Sequence, residues 1–243
     1  MNKNNYVFTI EGNIGSGKST FIPELQNTLH TIEKGGFRYN IIYLTEPVNN
    51  WESIKDTSGK NIIQKFYENK AKYAFSFQMM TYISRIHQIK EVLKKAFNTI
   101  VICERSIFTD KNVFAKMLYD SNDIEEIQYQ IYLKWFDEFH KDIPYKGIIY
   151  IKTNPDTCLN RINKRNRSGE TIPIEYLINC DKYHDNWIHH NNNLPIVLFN
   201  GEININNKET YKQYIYQKII PFISEHLKKL NRNMTSISEF YGC

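Results

Sequence analysis

The sequence predicts an α/β protein, a five-stranded parallel sheet with helices on both faces. Three observations carry this. Short apolar runs that end in polar or turn residues alternate with stretches of helical spacing along the chain. The first apolar run leads straight into a glycine-rich stretch that opens a helix. No linker or internal repeat divides the 243 residues, a length that suits one domain, 1–243.

The elements follow in order. Tyr6 to Gly12 is the first strand. Phe21, Leu25 and Leu29 recur at helical spacing between Lys18 and Lys34; Pro23 fits only near the first turn, and Gly35–Gly36 stops the helix. Tyr39 to Pro47 is the second strand, closed by proline. The stretch from about Asn61 to Phe97 lacks glycine and proline and reads as two helices with a break near Asn69 to Ala71. Asn98 to Ser106 is the third strand. Helices at about Ile107–Tyr119 and Ile124–His140 lead to the fourth, Gly147 to Pro155. Helices over Asp156–Arg167 and about Pro173–His189 precede the fifth, Leu194 to Gly201. A last helix covers roughly Lys208 to Leu230, and the polar tail, about 231–243, is expected to fray.

Composition excludes several classes. The net charge of +5 is spread along the chain, so no nucleic-acid partner is called for. None of the four cysteines forms a C-x-x-C pair, which argues against zinc and against a disulfide scaffold. No apolar run approaches the roughly 20 residues that span a bilayer. The chain reaches its first strand too soon for a signal peptide, so a cytoplasmic setting without membrane attachment is expected.

Gly12-Asn13-Ile14-Gly15-Ser16-Gly17-Lys18-Ser19, followed by Thr20, matches G-x-x-x-x-G-K-[ST]. Backbone N–H groups of such a loop curl around phosphate oxygens, Lys18 adds a cation at the β/γ-phosphates, and the Ser19 hydroxyl can hold Mg²⁺. A chance glycine-rich turn could match the spacing. The strand before it and the helix after it are the context that the cradle requires. A GTPase would also carry an N-K-x-D motif after a later strand, and none is present.

In open parallel sheets chemistry gathers beyond the C-terminal ends of the strands. The second strand delivers Glu46 there, and the third delivers Glu104 and Arg105. Strand ends are often polar simply because they meet solvent. Together with the phosphate loop, however, these residues form a set for phosphoryl transfer to an alcohol. Glu46 is placed as general base, Glu104 as a Mg²⁺ ligand, and Arg105 as a planar fork bridging acceptor and phosphate. Arg161 and Arg165 share one helix face, and Arg167 lies just past its end. This stretch reads either as a solvated basic surface or as a lid, about 161–172, that closes arginines over a triphosphate. Gln78, Thr81 and Arg85 share a face on "FSFQMMTYISRI", aimed at a cleft, with Asp110 available to pair with Arg85. The alternative is an Arg85 that snorkels to solvent.

Taken together, "EGNIGSGKST", "EPVNNW", "FSFQ…SRI", "ERSIFTDKNVFAKMLY" and "RINKRNRSGETIPIEYL" resemble the deoxynucleoside kinase family, over about Tyr6 to Leu230. The resemblance implies the P-loop nucleoside/nucleotide kinase fold, usually as a homodimer. It implies transfer of the γ-phosphate of ATP, or another triphosphate, to the 5′-hydroxyl of a deoxynucleoside for nucleotide salvage. By the same resemblance Glu46 is the base and Arg105 holds the 5′-oxygen and phosphate. Glu104 lies near Mg²⁺, and Tyr67 and Glu170 hold the sugar 3′-hydroxyl. Phe77, Phe114 and Trp51 line the base pocket, Gln78 reads the base edge, and Arg161, Arg165 and Arg167 are the lid arginines. The Arg85–Asp110 pair is similar to that of deoxycytidine and deoxyguanosine kinases, which points to deoxycytidine or a purine deoxynucleoside. Departures are a shorter lid between Arg167 and Ile172, Thr81 where the deoxycytidine type has alanine, and Phe66 where it has methionine. Two alternatives stand beside this reading. One is a thymidylate kinase, against which Thr45 takes the place of the arginine in its R-E-P motif. The other is a structural relative without catalysis, which would have no need of so complete a set.

Overall fold

The computed structural model describes residues 4–166, 171–191, 193–203 and 207–227. Arg167, Glu170 and the tail from residue 231 lie outside the described residues. The chain begins β1 (Tyr6–Glu11), α1 (Lys18–Thr28), β2 (Thr31–Lys34), β3 (Phe37–Leu44), α2 (Val48–Glu52), α3 (Ile62–Glu68), α4 (Lys70–Lys95) and β4 (Thr99–Glu104). There follow α5 (Ile107–Thr109), a π-helical segment (Asp110–Ala115), α6 (Lys116–Asp120), α7 (Glu126–Phe139), β5 (Tyr145–Lys152) and α8 (Pro155–Arg165). The rest is α9 (Ile174–His189), β6 (Ile196–Asn200), α10 (Lys208–Tyr214), a second π-helical segment (Ile215–Ile219) and α11 (Ile220–Glu225).

The strand order is β2-β3-β4-β1-β5-β6, and every pairing from β3 to β6 is parallel. β1 and β4 are buried at every residue, as strands covered on both faces must be. Alternation assigns their side chains to two layers. Phe8, Ile10, Ile100 and Ile102 pack with Phe21 and Leu25 of α1 and with Ile215, Ile219 and Ile223 near the C-terminus. Val7, Val101 and Cys103 pack with Tyr82, Ile86 and Ile89 of α4 and with Tyr132 and Phe136 of α7. The break expected near Asn69 is real. The Asn69 side chain accepts from Lys72 N–H and so caps α4, while Asn61 and Gln64 form a capping box at the start of α3.

The sheet has six strands rather than five, and is mixed. The stretch read as the end of the first helix is instead β2, antiparallel to β3. Gly35 and Gly36 have φ of +59° and +79°, the conformation of a two-residue hairpin turn, so they reverse a strand rather than stop a helix. Pro23 sits in the second turn of α1, not the first; its missing N–H leaves the Ser19 carbonyl without its helical donor. Neither the short helix α2 nor the two π-helical segments is foreshadowed by the spacing of apolar residues.

Candidate active site

The phosphate loop is shaped by its glycines. Gly15 has φ of +76°, and a Cβ there would lie 2.5 Å from the Cys158 carbonyl oxygen, so α8 packs directly on the loop. Lys18 Nζ donates to the carbonyls of Gly12 (3.1 Å) and Asn13 (2.8 Å), curling the loop around its own cation. Burial, reinforced by the Arg105 guanidinium, lowers the Lys18 ammonium to about 7. Ser19 Oγ donates to Glu104 Oε1 at 2.7 Å, so the two residues expected around Mg²⁺ are in contact.

Glu46 follows β3, and Oε1 of its carboxylate accepts from Arg85 Nη2 (2.6 Å) and Arg105 Nε (2.9 Å). Each of the three guanidinium nitrogens of Arg85 has a partner: besides Nη2, Nε meets Asp110 Oδ2 at 3.0 Å and Nη1 meets the Glu104 carbonyl at 2.9 Å. It does not snorkel; it is 5 % exposed. Arg105 Nη1 donates to the Gly12 carbonyl at 2.6 Å, tying the carboxylate centre to the phosphate loop. Arg105 has φ of +64°, a conformation costly for a residue with a side chain and common at functional sites. Burial tends to raise the Glu46 carboxyl, but Arg85, Arg105 and Lys18 outweigh it and hold it at about 2. Asp110 goes the other way: burial raises it to about 6 against the pull of Arg85.

A cleft of about 680 Å³ joins these groups. Ile14, Gly15 and Gly17 to Thr20 of the phosphate loop, with Arg161 and Arg165, form one end. At the other, Phe66 and Phe77 stack at 4.8 Å, Trp51 meets Phe77 edge-on, and Tyr67 packs on Phe66. Phe114 lies under the Arg105 guanidinium at 5.0 Å, and Trp51 under that of Arg85 at 5.4 Å. Gln78 lines this end, and its buried Oε1 has no hydrogen-bond partner among the described residues. Thr81 also lines it, but its hydroxyl donates back to the Gln78 carbonyl.

Some expected residues are placed differently. Gly12, Asn13 and Ser16 complete the loop without lining the cleft; the Asn13 amide turns away and donates to the Leu177 carbonyl at 2.9 Å. Arg161 is spent on backbone, donating to the carbonyls of Ser16 (3.0 Å) and Gly201 (2.8 Å), so it buttresses the loop. Arg167 and Glu170 fall outside the described residues. The sequence reading missed Tyr176, Glu202, Ile203 and Tyr211 on the cleft wall. Glu202 lies two residues past the fifth parallel strand, β6, as Glu46 lies two past β3, and the strand-end rule that found Glu46 would have found it.

Among the described residues no group of three or more His, Cys, Asp or Glu side chains could hold a metal by itself. Mg²⁺ on a triphosphate asks for less, since phosphate oxygens and water fill most of its sphere. Ser19 and Glu104 fit that demand. Among the described residues no helix is long and apolar enough to cross a membrane.

A phosphate loop at a strand-to-helix turn, opening on a cleft whose far end holds an amide among aromatic rings, defines a P-loop kinase with a separate acceptor site. The family is equally plain: residues 8–224 match the model for deoxynucleoside kinases, and the chain belongs to that family. It is 30% identical to deoxycytidine kinase 1 of Xenopus laevis over 89% of each chain. It is 34% identical to a protein named "probable deoxycytidine kinase" of fowlpox virus (strain NVSL), over 89% of this chain and 88% of the relative. It is 27% identical to the mitochondrial deoxyguanosine kinase of Xenopus laevis over 89% of each. The chain is thus an enzyme, a phosphotransferase acting on deoxynucleosides.

Proposed function

We propose that the enzyme moves the γ-phosphate of ATP to the 5′-hydroxyl of deoxycytidine or a purine deoxynucleoside. The observation that carries this is the Gln78 amide, buried among aromatic rings with an open acceptor, beside Arg85 and Asp110. Together they offer donors and acceptors to one base edge. In this reading the rings of Phe77, Phe114 and Trp51 enclose the base, and Tyr67 and Glu170 hold the sugar. Glu46 takes the proton of the 5′-hydroxyl, and Arg105 holds that oxygen and the incoming phosphate. Lys18 and the loop N–H groups hold the donor's phosphates. Arg165 and Arg167, with Arg161 behind the loop, add positive charge at the donor end. Ser19 and Glu104 would hold Mg²⁺, which neutralises phosphate charge when bound.

Two further features belong to this reading. Ile127, Ile131, Trp135 and Phe139 stand four apart on α7 and are all exposed, Ile127 by 71 %. Such a stripe supports a homodimer in which α7 meets its counterpart. Cys103, Cys158 and Cys180 are free thiols, in keeping with a cytoplasmic, reducing setting.

The test is a panel of the four deoxynucleosides and dTMP with labelled ATP and Mg²⁺. Phosphorylation of deoxycytidine or a purine deoxynucleoside is expected. Turnover of dTMP alone, or of nothing, would overturn the reading.

A further inference from the structure

Glu11 is the last residue of β1 and is wholly buried. An acid there is costly unless its polar atoms are held, and a branched aliphatic would fill a central strand more cheaply. Its Oε2 accepts a hydrogen bond from the Thr109 hydroxyl. Its Oε1 has no hydrogen-bond partner among the described residues. Thr109 is therefore what holds this acid, and it too is wholly buried.

The chain neighbours of the two residues give the bond its consequence. Glu11 directly precedes Gly12, whose carbonyl accepts from both Lys18 and Arg105. Thr109 directly precedes Asp110, which holds Arg85 and opens the π-helical segment that also carries Phe114. The bond thus joins the root of the phosphate loop to the root of the helix on the acceptor side, beneath the cleft rather than across it. A π-helical turn departs from what the helix backbone prefers and needs an outside constraint. A hydroxyl pinned at the residue just before it supplies one.

We propose that Glu11 and Thr109 are a positioning pair, whose bond sets Asp110, and through it Arg85, at the nucleoside end of the cleft. This rests on reading that end as the nucleoside site. The test uses the full chain in three variants. Thr109→Val keeps the shape and loses the hydroxyl, Thr109→Ser keeps the hydroxyl, and Glu11→Gln keeps an acceptor oxygen. Amide hydrogen exchange over residues 107–116 is read beside steady-state kinetics with deoxycytidine and ATP varied in turn.

Thr109→Val is expected to speed exchange over 107–116. It should raise KM for deoxycytidine about tenfold, the scale of a buried hydrogen-bond partner left unsatisfied, with KM for ATP within about twofold. Thr109→Ser and Glu11→Gln are expected to stay within about threefold of the parent on both measures. The pairing is overturned by an equal rise in both KM values. It is also overturned by a lower melting temperature with neither KM changed, or by a serine variant that behaves like valine. Exchange is readable whether or not deoxycytidine is turned over. An inactive parent chain whose 107–116 amides still loosen in Thr109→Val and not in Thr109→Ser would refute the substrate reading and support the pair.

Discussion

Arg85 Nη2 and Glu46 Oε1 are joined at 2.6 Å, and Arg105 shares the same oxygen. The proposed base is therefore clamped between two guanidinium groups, which with Lys18 hold it near 2 despite its burial. A base so weak takes a proton poorly. On the proposed reading, a nucleoside whose base edge engages Arg85 would loosen one of the two clamps and so ready Glu46.

Removing the carboxylate tests that role directly. Glu46→Gln is expected to lower kcat for deoxycytidine by roughly 10²-fold or more, the range for a lost general base. Steady-state kinetics measures it, and near-parental turnover would remove Glu46 from the chemistry.

Asp110 carries a pH signature of its own. Its carboxyl rises from 3.8 to about 6, so the folded protein holds this proton more tightly than the unfolded chain. Its contribution to stability is fully present below 3.8 and is lost as pH rises through 6. Arg85 needs the charged form for orientation. The value of kcat/KM for deoxycytidine should therefore fall about tenfold per pH unit below 6. Melting temperature and kcat/KM against pH, for the parent and Asp110→Asn, check both halves. A variant that keeps the same slope and the same acid limb would place the titration elsewhere.

Lys18 gives a proton-linked signature of donor binding. Lowered to about 7 by burial and by Arg105, it regains its proton as phosphate charge arrives. At pH 7 ATP binding should take up about half a proton at this site. Calorimetry in buffers of different ionisation enthalpy measures the uptake. Lys18→Arg, permanently charged, should lack it, and equal uptake in both would exclude Lys18 as its source.

The proposed dimer is tested at Trp135, which stacks on Phe139 at 5.3 Å and is 46 % exposed. Sedimentation should find two copies in the parent and one in Trp135→Glu, with the melting transition of the single chain retained. A monomeric parent would remove the dimer.

Most of the site could be read from the sequence because its residues obey position rules. Loop, Glu46, Glu104 and Arg105 all sit at the ends of parallel strands, and the Arg85–Asp110 partnership followed from helix spacing plus a nearby acid. What escaped depends on geometry that spacing does not encode. Gly35–Gly36 signals a stop in either a helix or a hairpin, and only the β-branched Thr31 and Ile32 before it favoured the strand. The π-helical segment from Asp110 has no signature in the spacing of apolar residues, and the Glu11–Thr109 bond beside it joins residues 98 apart in sequence. Arg161 lies on the expected helix, yet which carbonyls it meets depends on how α8 docks on the loop.

The hairpin at Gly35–Gly36 has a practical use. It stands at the end of β3 opposite Glu46, and the eight residues of that strand alone span about 26 Å. A dye or affinity handle inserted at that tip would tether or report on the molecule from its far rim, leaving the mouth of the cleft clear for substrates to come and go.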